Sequence, residues 1–334
     1  MMSTDSLYAV DHKNNRPIRI GISSCLLGEQ VRFDGGHKRS DFLVETLGRF
    51  VEFVPVCPEM EIGLGVPRET LRLVRDGNDK DPRAIRLVAN QTSLDHTDKM
   101  NTYAERRTIA LAHEDLSGYV LKKDSPSCGM ERVRVYGPSG MATRDGAGLF
   151  ASALMRKFPS LPTEEEGRLN DPHLRENFVE RVFAYRRLRS FFAARWTLGG
   201  LVQFHTVHKL VLMAHSPKAY RELGRFVANV KRLGRDRVRD DYERAFMQAL
   251  KKLATTARHT NVLHHMLGYL RKHLDATERA ELVSLTDDYR RGLVPLIVPI
   301  TLFRHYVRQF DIEYLRDQIY LDPHPKELML CNHV

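Results

Sequence analysis

Three of the four cysteines are embedded in small or turn-forming residues. The settings are Ser23-Ser24-Cys25-Leu26-Leu27-Gly28, Pro55-Val56-Cys57-Pro58-Glu59 and Asp124-Ser125-Pro126-Ser127-Cys128-Gly129. Gly, Pro and Ser keep the backbone close to each sulfur and leave amide N–H groups able to hydrogen-bond a thiolate or sulfide. The gaps of 32 and 71 residues between them do not match the local Cys-x-x-Cys pairs of zinc ribbons or ferredoxins. Two readings therefore stand: three unrelated buried thiols, since free cysteine packs as a small hydrophobe, or one sulfur-ligand site assembled by topology. Cys331 stands apart from these blocks and is read as inert.

A shared site needs elements that bring the thiols together. Each of the three cysteines lies just past a segment that reads as a strand: 17–23, 50–56 and 119–121. Between them lie helical patterns: one from Ser40 through Leu43, Val44 and Leu47, and one from Thr97 with Tyr103, Ile109 and Leu111 on its apolar side. A last helix at 148–158 closes the pattern. Such alternation predicts an α/β N-terminal domain, a mainly parallel sheet with flanking helices. In an open parallel sheet the carboxyl ends of the strands line the crevice where ligands bind.

Residues 159–170, with Pro159, Pro162, three successive glutamates and Gly167, read as a linker. From 171 to 330 the pattern turns helical, and an all-α C-terminal domain is expected. Asp171-Pro172 and Ser216-Pro217 are cap-and-proline entries, and Asp275 with Glu278 has capping-box spacing. No stretch of about 18 apolar residues exists to cross a bilayer, and the first twenty residues lack the apolar run that export requires. A cytoplasmic location is expected, where structural disulfides are rare.

Charge separates the two parts. The first 155 residues carry 21 basic and 21 acidic side chains; the rest carry 31 and 21, the whole of the net +10. Such asymmetry points to a polyanionic partner, with a solvated basic face as the alternative. Arg186, Arg187, Arg189 and Arg195, with Trp196 beside them, and then Lys231, Arg232, Arg235, Arg237 and Arg239, are the candidate RNA contacts. Such side chains meet phosphate oxygens without reading bases. His205 and His208, spaced i and i+3, could share a metal, yet no acidic or thiol partner is patterned with them. Core or helix-surface histidines are the alternative.

Ser24-Cys25-Leu26-Leu27-Gly28 with Val31-Arg32-Phe33-Asp34-Gly35, Val56-Cys57-Pro58-Glu59 and Ser125-Pro126-Ser127-Cys128-Gly129 together resemble the thiouracil desulfidase domain family, over residues 15–158. The following part, with Leu161-Pro162, Arg168-Leu169 and Arg175-Glu176-Asn177-Phe178, resembles the YbgA-type helical domain. The combination is similar to the prokaryotic RNA 4-thiouridine desulfidases.

That resemblance implies a 4Fe–4S cluster held by Cys25, Cys57 and Cys128, with one iron left open. It also implies non-redox, Lewis-acid removal of sulfur from 4-thiouridine in tRNA, giving uridine and sulfide. Glu59 and Ser125 match the relatives' active-site positions and are the expected proton-handling residues. A helix-start carboxylate and a turn hydroxyl are their plainer readings. Asp34 is read as an Asp-Gly turn. A desulfidase of free thiouracil bases and a non-catalytic nucleic-acid-binding iron–sulfur sensor are the rivals. A plain Cys128 nucleophile lacks a flanking histidine.

Overall fold

The computed structural model describes residues 17–75 and 85–333; the expected domain start at residue 15 lies outside them. The chain forms two units, split between Asn170 and Asp171.

The first unit is built on a four-stranded parallel sheet ordered β2-β1-β5-β8. The strands are β1 (Ile18–Ser23), β2 (Val51–Val56), β5 (Leu116–Leu121) and β8 (Thr163–Glu165). Every residue of β5 is buried, as expected of a central strand covered on both faces. Gly21 of β1 is paired with Tyr119 of β5, and a Cβ at Gly21 would lie 2.2 Å from the Tyr119 ring. Only glycine admits that fully buried ring. The helices of this unit are α1 (Pro58–Glu61), directly after β2, α2 (Thr97–Leu111) and α3 (Leu149–Lys157). On α2 the buried stripe is Met100, Tyr103, Ala104, Thr108 and Leu111. Ile109 falls off that stripe and is 56% exposed, contrary to the expected apolar side.

A second sheet, ordered β4-β3-β6-β7, was not anticipated: β3 (Leu71–Arg75), β4 (Ile85–Ala89), β6 (Val133–Tyr136) and β7 (Ala142–Gly146). The segment from Ser40 is also corrected. It is a π-type turn at Phe42–Thr46 running into a 3-10 turn, without a side-chain cap. The expected linker 159–170 belongs to the first unit. Its strand β8 pairs with β5, and Glu164 and Glu165 are buried because Arg168 and the Met130 amide satisfy them at 2.7 Å each.

The second unit is helical, as expected: α4 (Pro172–Ala193), α5 (Leu198–Val207), α6 (Lys209–His215), α7 (Pro217–Asn229), α8 (Arg235–Leu250), α9 (Thr256–Leu270), α10 (Ala276–Arg290), α11 (Ile297–Gln309) and α12 (Glu313–Arg316). The anticipated caps are present. The Asp171 carboxylate accepts from the amides of His173 and Leu174, Ser216 from Ala219, and Asp275 with Glu278 closes a capping box. Each cap satisfies helix-start N–H groups that otherwise lack partners. Among the described residues no helix is long and apolar enough to cross a membrane.

Candidate active site

Three neighbouring parallel strands, β2, β1 and β5, deliver the three cysteines. Cys25 follows β1 in a 3-10 turn, Ser24–Leu27, and Cys57 follows β2 directly at the start of α1. Cys128 sits in the loop beyond β5. The chain runs from β1 to β2 on one side and later to β5 on the other, so the crevice lies where the strand order reverses. All three cysteines line one cavity of about 340 Å³.

The loop holding Cys128 is shaped by close packing. The Gly148 amide bonds to the Gly129 carbonyl at 2.8 Å, and the Ala151 amide bonds to the Ser127 carbonyl at 3.1 Å. A Cβ at Gly148 would lie 2.4 Å from the Ser127 carbonyl oxygen. The start of α3 can therefore approach the cysteine loop only through glycine.

Burial raises all three thiols. Cys25 is pushed up to about 11, and Cys57 and Cys128 are also raised. After burial, Cys25 feels the charges of Lys122 and Cys57, and Cys128 those of Glu59, Cys57 and Cys25. Alone, such thiols are neutral at neutral pH; a multiply charged cationic centre would favour their thiolates. Among the described residues no three His, Cys, Asp or Glu side chains form a group that could hold a metal ion. Three thiols spread around a cavity of this volume instead suit a body larger than one ion, and the soft sulfur donor set suits iron–sulfur chemistry.

Glu59 and Ser125 are brought together through a residue that sequence reasoning passed over. Ser127 Oγ donates to Glu59 Oε1 at 2.6 Å, and Ser125 Oγ lies 3.0 Å from Ser127 Oγ. With the Ser127 proton directed at Glu59, Ser125 is the donor to Ser127. Ser125 Oγ also accepts the Cys128 amide at 3.1 Å, tying the hydroxyl string to a cysteine backbone.

The other oxygen of Glu59 is held by Arg68, Nε at 3.0 Å and the terminal nitrogen at 2.5 Å. Arg68 is fixed in turn by the carbonyls of Gly65 at 2.8 Å and Val31 at 2.9 Å. Its side chain is only 6% exposed, so this pair is shielded from water. Arg68 carries no local motif that marks it, and Ser127, although inside the Cys128 block, was not singled out there; the fold reveals their roles. Arg32, Lys38, Lys122 and Lys123 add positive charge around the cavity, with Lys122 bound to Glu166 at 2.5 Å. Asp34 does not line the cavity. It accepts the Gly36 amide at 3.0 Å in an exposed turn, as its sequence context suggests.

The proposed RNA contacts of the second unit divide. Arg189, Arg195, Lys231, Arg232, Arg235 and Arg237 are exposed. Arg186 and Arg187 are buried inside the bundle, and Arg187 donates to the Pro323 carbonyl. These two do not face solvent and are removed from the candidate set. Arg235 lies over the Trp196 ring at 4.5 Å and donates to the Trp196 carbonyl. Arg237 pairs with Asp241 at 3.5 Å, and Arg239 with Asp236 at 3.3 Å and Asp240 at 3.0 Å.

His205 and His208 are core histidines. Their Nδ1 atoms meet the Tyr242 hydroxyl at 3.2 Å and the Phe204 carbonyl at 2.8 Å.

Comparison with known proteins agrees with this division. Residues 20–166 match the 2-thiouracil desulfurase family, and residues 209–325 match a protein family of unknown function, DUF1722. The uncharacterized protein YbgA of Escherichia coli is 37% identical over 151 residues, 45% of this chain and 89% of YbgA. The uncharacterized protein YbbK of Bacillus subtilis is 32% identical over 111 residues, 32% of this chain and 71% of YbbK. A solved structure of the 4Fe–4S-dependent thiouracil desulfidase TudS aligns with a TM-score of 0.36 and 29% identity, covering 46% of this chain and 93% of that one. The chain therefore belongs to the YbgA family and carries within it a 2-thiouracil desulfurase region that spans all three clustered cysteines.

Proposed function

We propose that this protein is an iron–sulfur desulfidase that converts 4-thiouridine in tRNA to uridine, with Cys25, Cys57 and Cys128 holding a 4Fe–4S cluster. The observation that carries the reading is the meeting of three thiols, from three adjacent strand ends, on one cavity that also holds Glu59, Ser125 and Ser127. The 2-thiouracil desulfurase region covers all of these residues.

Cys25, Cys57 and Cys128 would hold the cluster, which would supply a soft Lewis acid for the sulfur of a thiocarbonyl. The protein's own residues do the rest. Water adds to the ring carbon and sulfide leaves, so the thiocarbonyl becomes a carbonyl with no change in oxidation state. Glu59, held in place by Arg68, receives a proton from the attacking water. The Ser125–Ser127 pair provides a hydroxyl path between that carboxylate and the departing group or a ring nitrogen. The cations around the cavity favour an anionic substrate, and the +10 of the helical part supports RNA over a free base.

The test is anaerobic reconstitution with iron and sulfide, followed by incubation with thiolated tRNA and, separately, with free thiouracil. The near-ultraviolet thiocarbonyl band should disappear in the tRNA sample. Activity in iron-free protein overturns the cluster. Turnover of the free base alone removes RNA from the proposal, and a cluster with neither turnover favours a sensor.

A further inference from the structure

The helical unit has a cavity of its own, of about 560 Å³, lined by one face of α4, by α6, α9 and α10, and by the C-terminal tail. In the part of the protein that carries the whole positive excess, none of the described residues lining this cavity is Lys or Arg. Asp171, Glu176 and Glu180 contribute carboxylates, and Leu174, Leu253 and Leu296 contribute apolar wall.

The two inner carboxylates are held differently. Glu180 accepts from His215 Nε2 at 2.8 Å, and that histidine's Nδ1 meets the Lys252 carbonyl at 2.5 Å. Burial alone would lower His215, but the Glu180 charge raises it, so the two form an ion pair. Glu176 has no such cation. Cys331 Sγ lies 3.3 Å from one of its oxygens and His333 Nε2 lies 3.2 Å from the other. Burial pushes the Cys331 thiol up and the His333 imidazole down, so both partners are neutral. Tyr289, His259 and His173 complete the groups facing the cavity; burial keeps Tyr289 and His259 uncharged, and His173 Nδ1 lies 2.9 Å from His333 Nε2. Burial, then the Glu180 charge, brings Glu176 up to about 7. Asp171 caps the start of α4 and Glu180 is paired with His215, which leaves Glu176 as the lining carboxylate without a bonded cation.

We propose that this cavity binds a small organic amine of the aliphatic di- or polyamine class, with an ammonium group on Glu176 and its methylene chain against the leucine wall. A phosphate or RNA strand would meet carboxylates with no basic side chain to oppose them. A lone metal ion is far smaller than the cavity, and no group of three donors suited to one forms among the described residues. The volume falls in the range usual for small-molecule sites. Asn177, also in the cavity wall, donates its amide nitrogen to the Leu250 carbonyl at 2.9 Å.

The test is calorimetric titration of the full-length protein with spermidine at about physiological salt, which screens surface pairing. Saturable one-to-one binding is expected, tightening as pH rises through about 7 because Glu176 sheds its proton. Glu176→Gln, nearly isosteric, should weaken binding about tenfold or more and flatten that pH slope. Ala254→Trp, which fills the cavity without altering charge, should abolish it, while Glu222→Gln on the exposed face of α7 should leave it unchanged. Absence of saturable binding overturns the proposal. So does equal affinity in Glu176→Gln and Ala254→Trp, or binding of zinc ion in place of spermidine.

Discussion

The two cavities reverse the charges of the parts that hold them. The first 155 residues are electrically balanced, yet their cavity is lined by five basic side chains and two acidic ones. The remaining residues carry the whole +10, yet their cavity has carboxylates and histidines and, among the described residues, no Lys or Arg. Net charge steers encounter over long distances, whereas the lining of a pocket selects what enters it. A basic domain can hold an anion-averse pocket, and the two properties must be read separately.

The strongest way to break this comparison is to remove the sulfur ligands from the first cavity. Cys57→Ala is expected to abolish desulfuration, about a thousandfold or more, and to lower cluster iron in the anaerobic protein, read by absorbance and iron analysis. Full activity in that variant would show that the cavity works by another chemistry. Spermidine binding by the second cavity should survive the same substitution.

Next in size is the shielded pair. Arg68→Ala leaves the partly buried Glu59 without its bonded cation, and stability should fall by up to roughly 3 kcal/mol, measured by urea unfolding. Adding Glu59→Gln should recover part of that stability without recovering activity. A neutral result for Arg68→Ala would mean that Glu59 gains nothing from its guanidinium partner. Arg68→Lys should not substitute fully, because an ammonium cannot hold two fixed donors on one carboxylate oxygen while also reaching the Gly65 and Val31 carbonyls.

The second unit is expected to respond to acid through its core histidines. Burial holds His205 down at about 4 and His208 at about 3, against about 6.5 for a free imidazole. The unfolded chain takes up these protons below about pH 6.5 while the folded chain resists them. The stability present above that pH is therefore lost as pH falls from about 6.5 towards the folded values. His215, raised overall, works in the opposite direction and keeps its contribution on acidification. Circular dichroism melts should show a falling helical midpoint from about pH 6.5 to 5. His208→Phe, which cannot take up a proton, should reduce the dependence. A flat profile would contradict the buried neutral state.

The smallest effect is expected at the surface. Lys231→Ala with Arg232→Ala should weaken tRNA binding several-fold and lower the salt slope by roughly two, measured by filter binding across a salt series. An unchanged slope would remove Lys231 and Arg232 from the proposed RNA contacts.

The cysteine blocks were legible because each is local: a short strand, a turn, a thiol and small neighbours. Their convergence was one of two open readings, suggested by the rule that the carboxyl ends of parallel neighbours share an edge, and the shared cavity supports it. The helix caps of the second unit were legible for the same reason, as at Asp171-Pro172 and Ser216-Pro217. Arg68 and Ser127 were not, because their meaning arises only when Glu59 arrives from another segment. The second sheet was missed although β3, β4 and β6 carry short apolar patterns broken by arginines; only β7, four of whose five residues are exposed, lacks one. Glutamates 164 and 165 looked like linker composition, yet specific hydrogen bonds bury them. Composition reports average solubility and misses such satisfied pairs. Arg186 and Arg187 misled in the same way, being charged yet interior.

Strand β8 also decides where this protein can be cut. It is the neighbour of β5 on the side away from β1, joined through pairs from Tyr119 to Leu121, and the Tyr119 amide bonds to the Pro162 carbonyl at 2.8 Å. A fragment stopped at residue 158 would turn the most buried strand of the sheet into a bare edge, ready to pair with another chain. A fragment carried to Asn170 keeps that edge covered, so twelve residues separate an aggregation-prone product from a self-contained one.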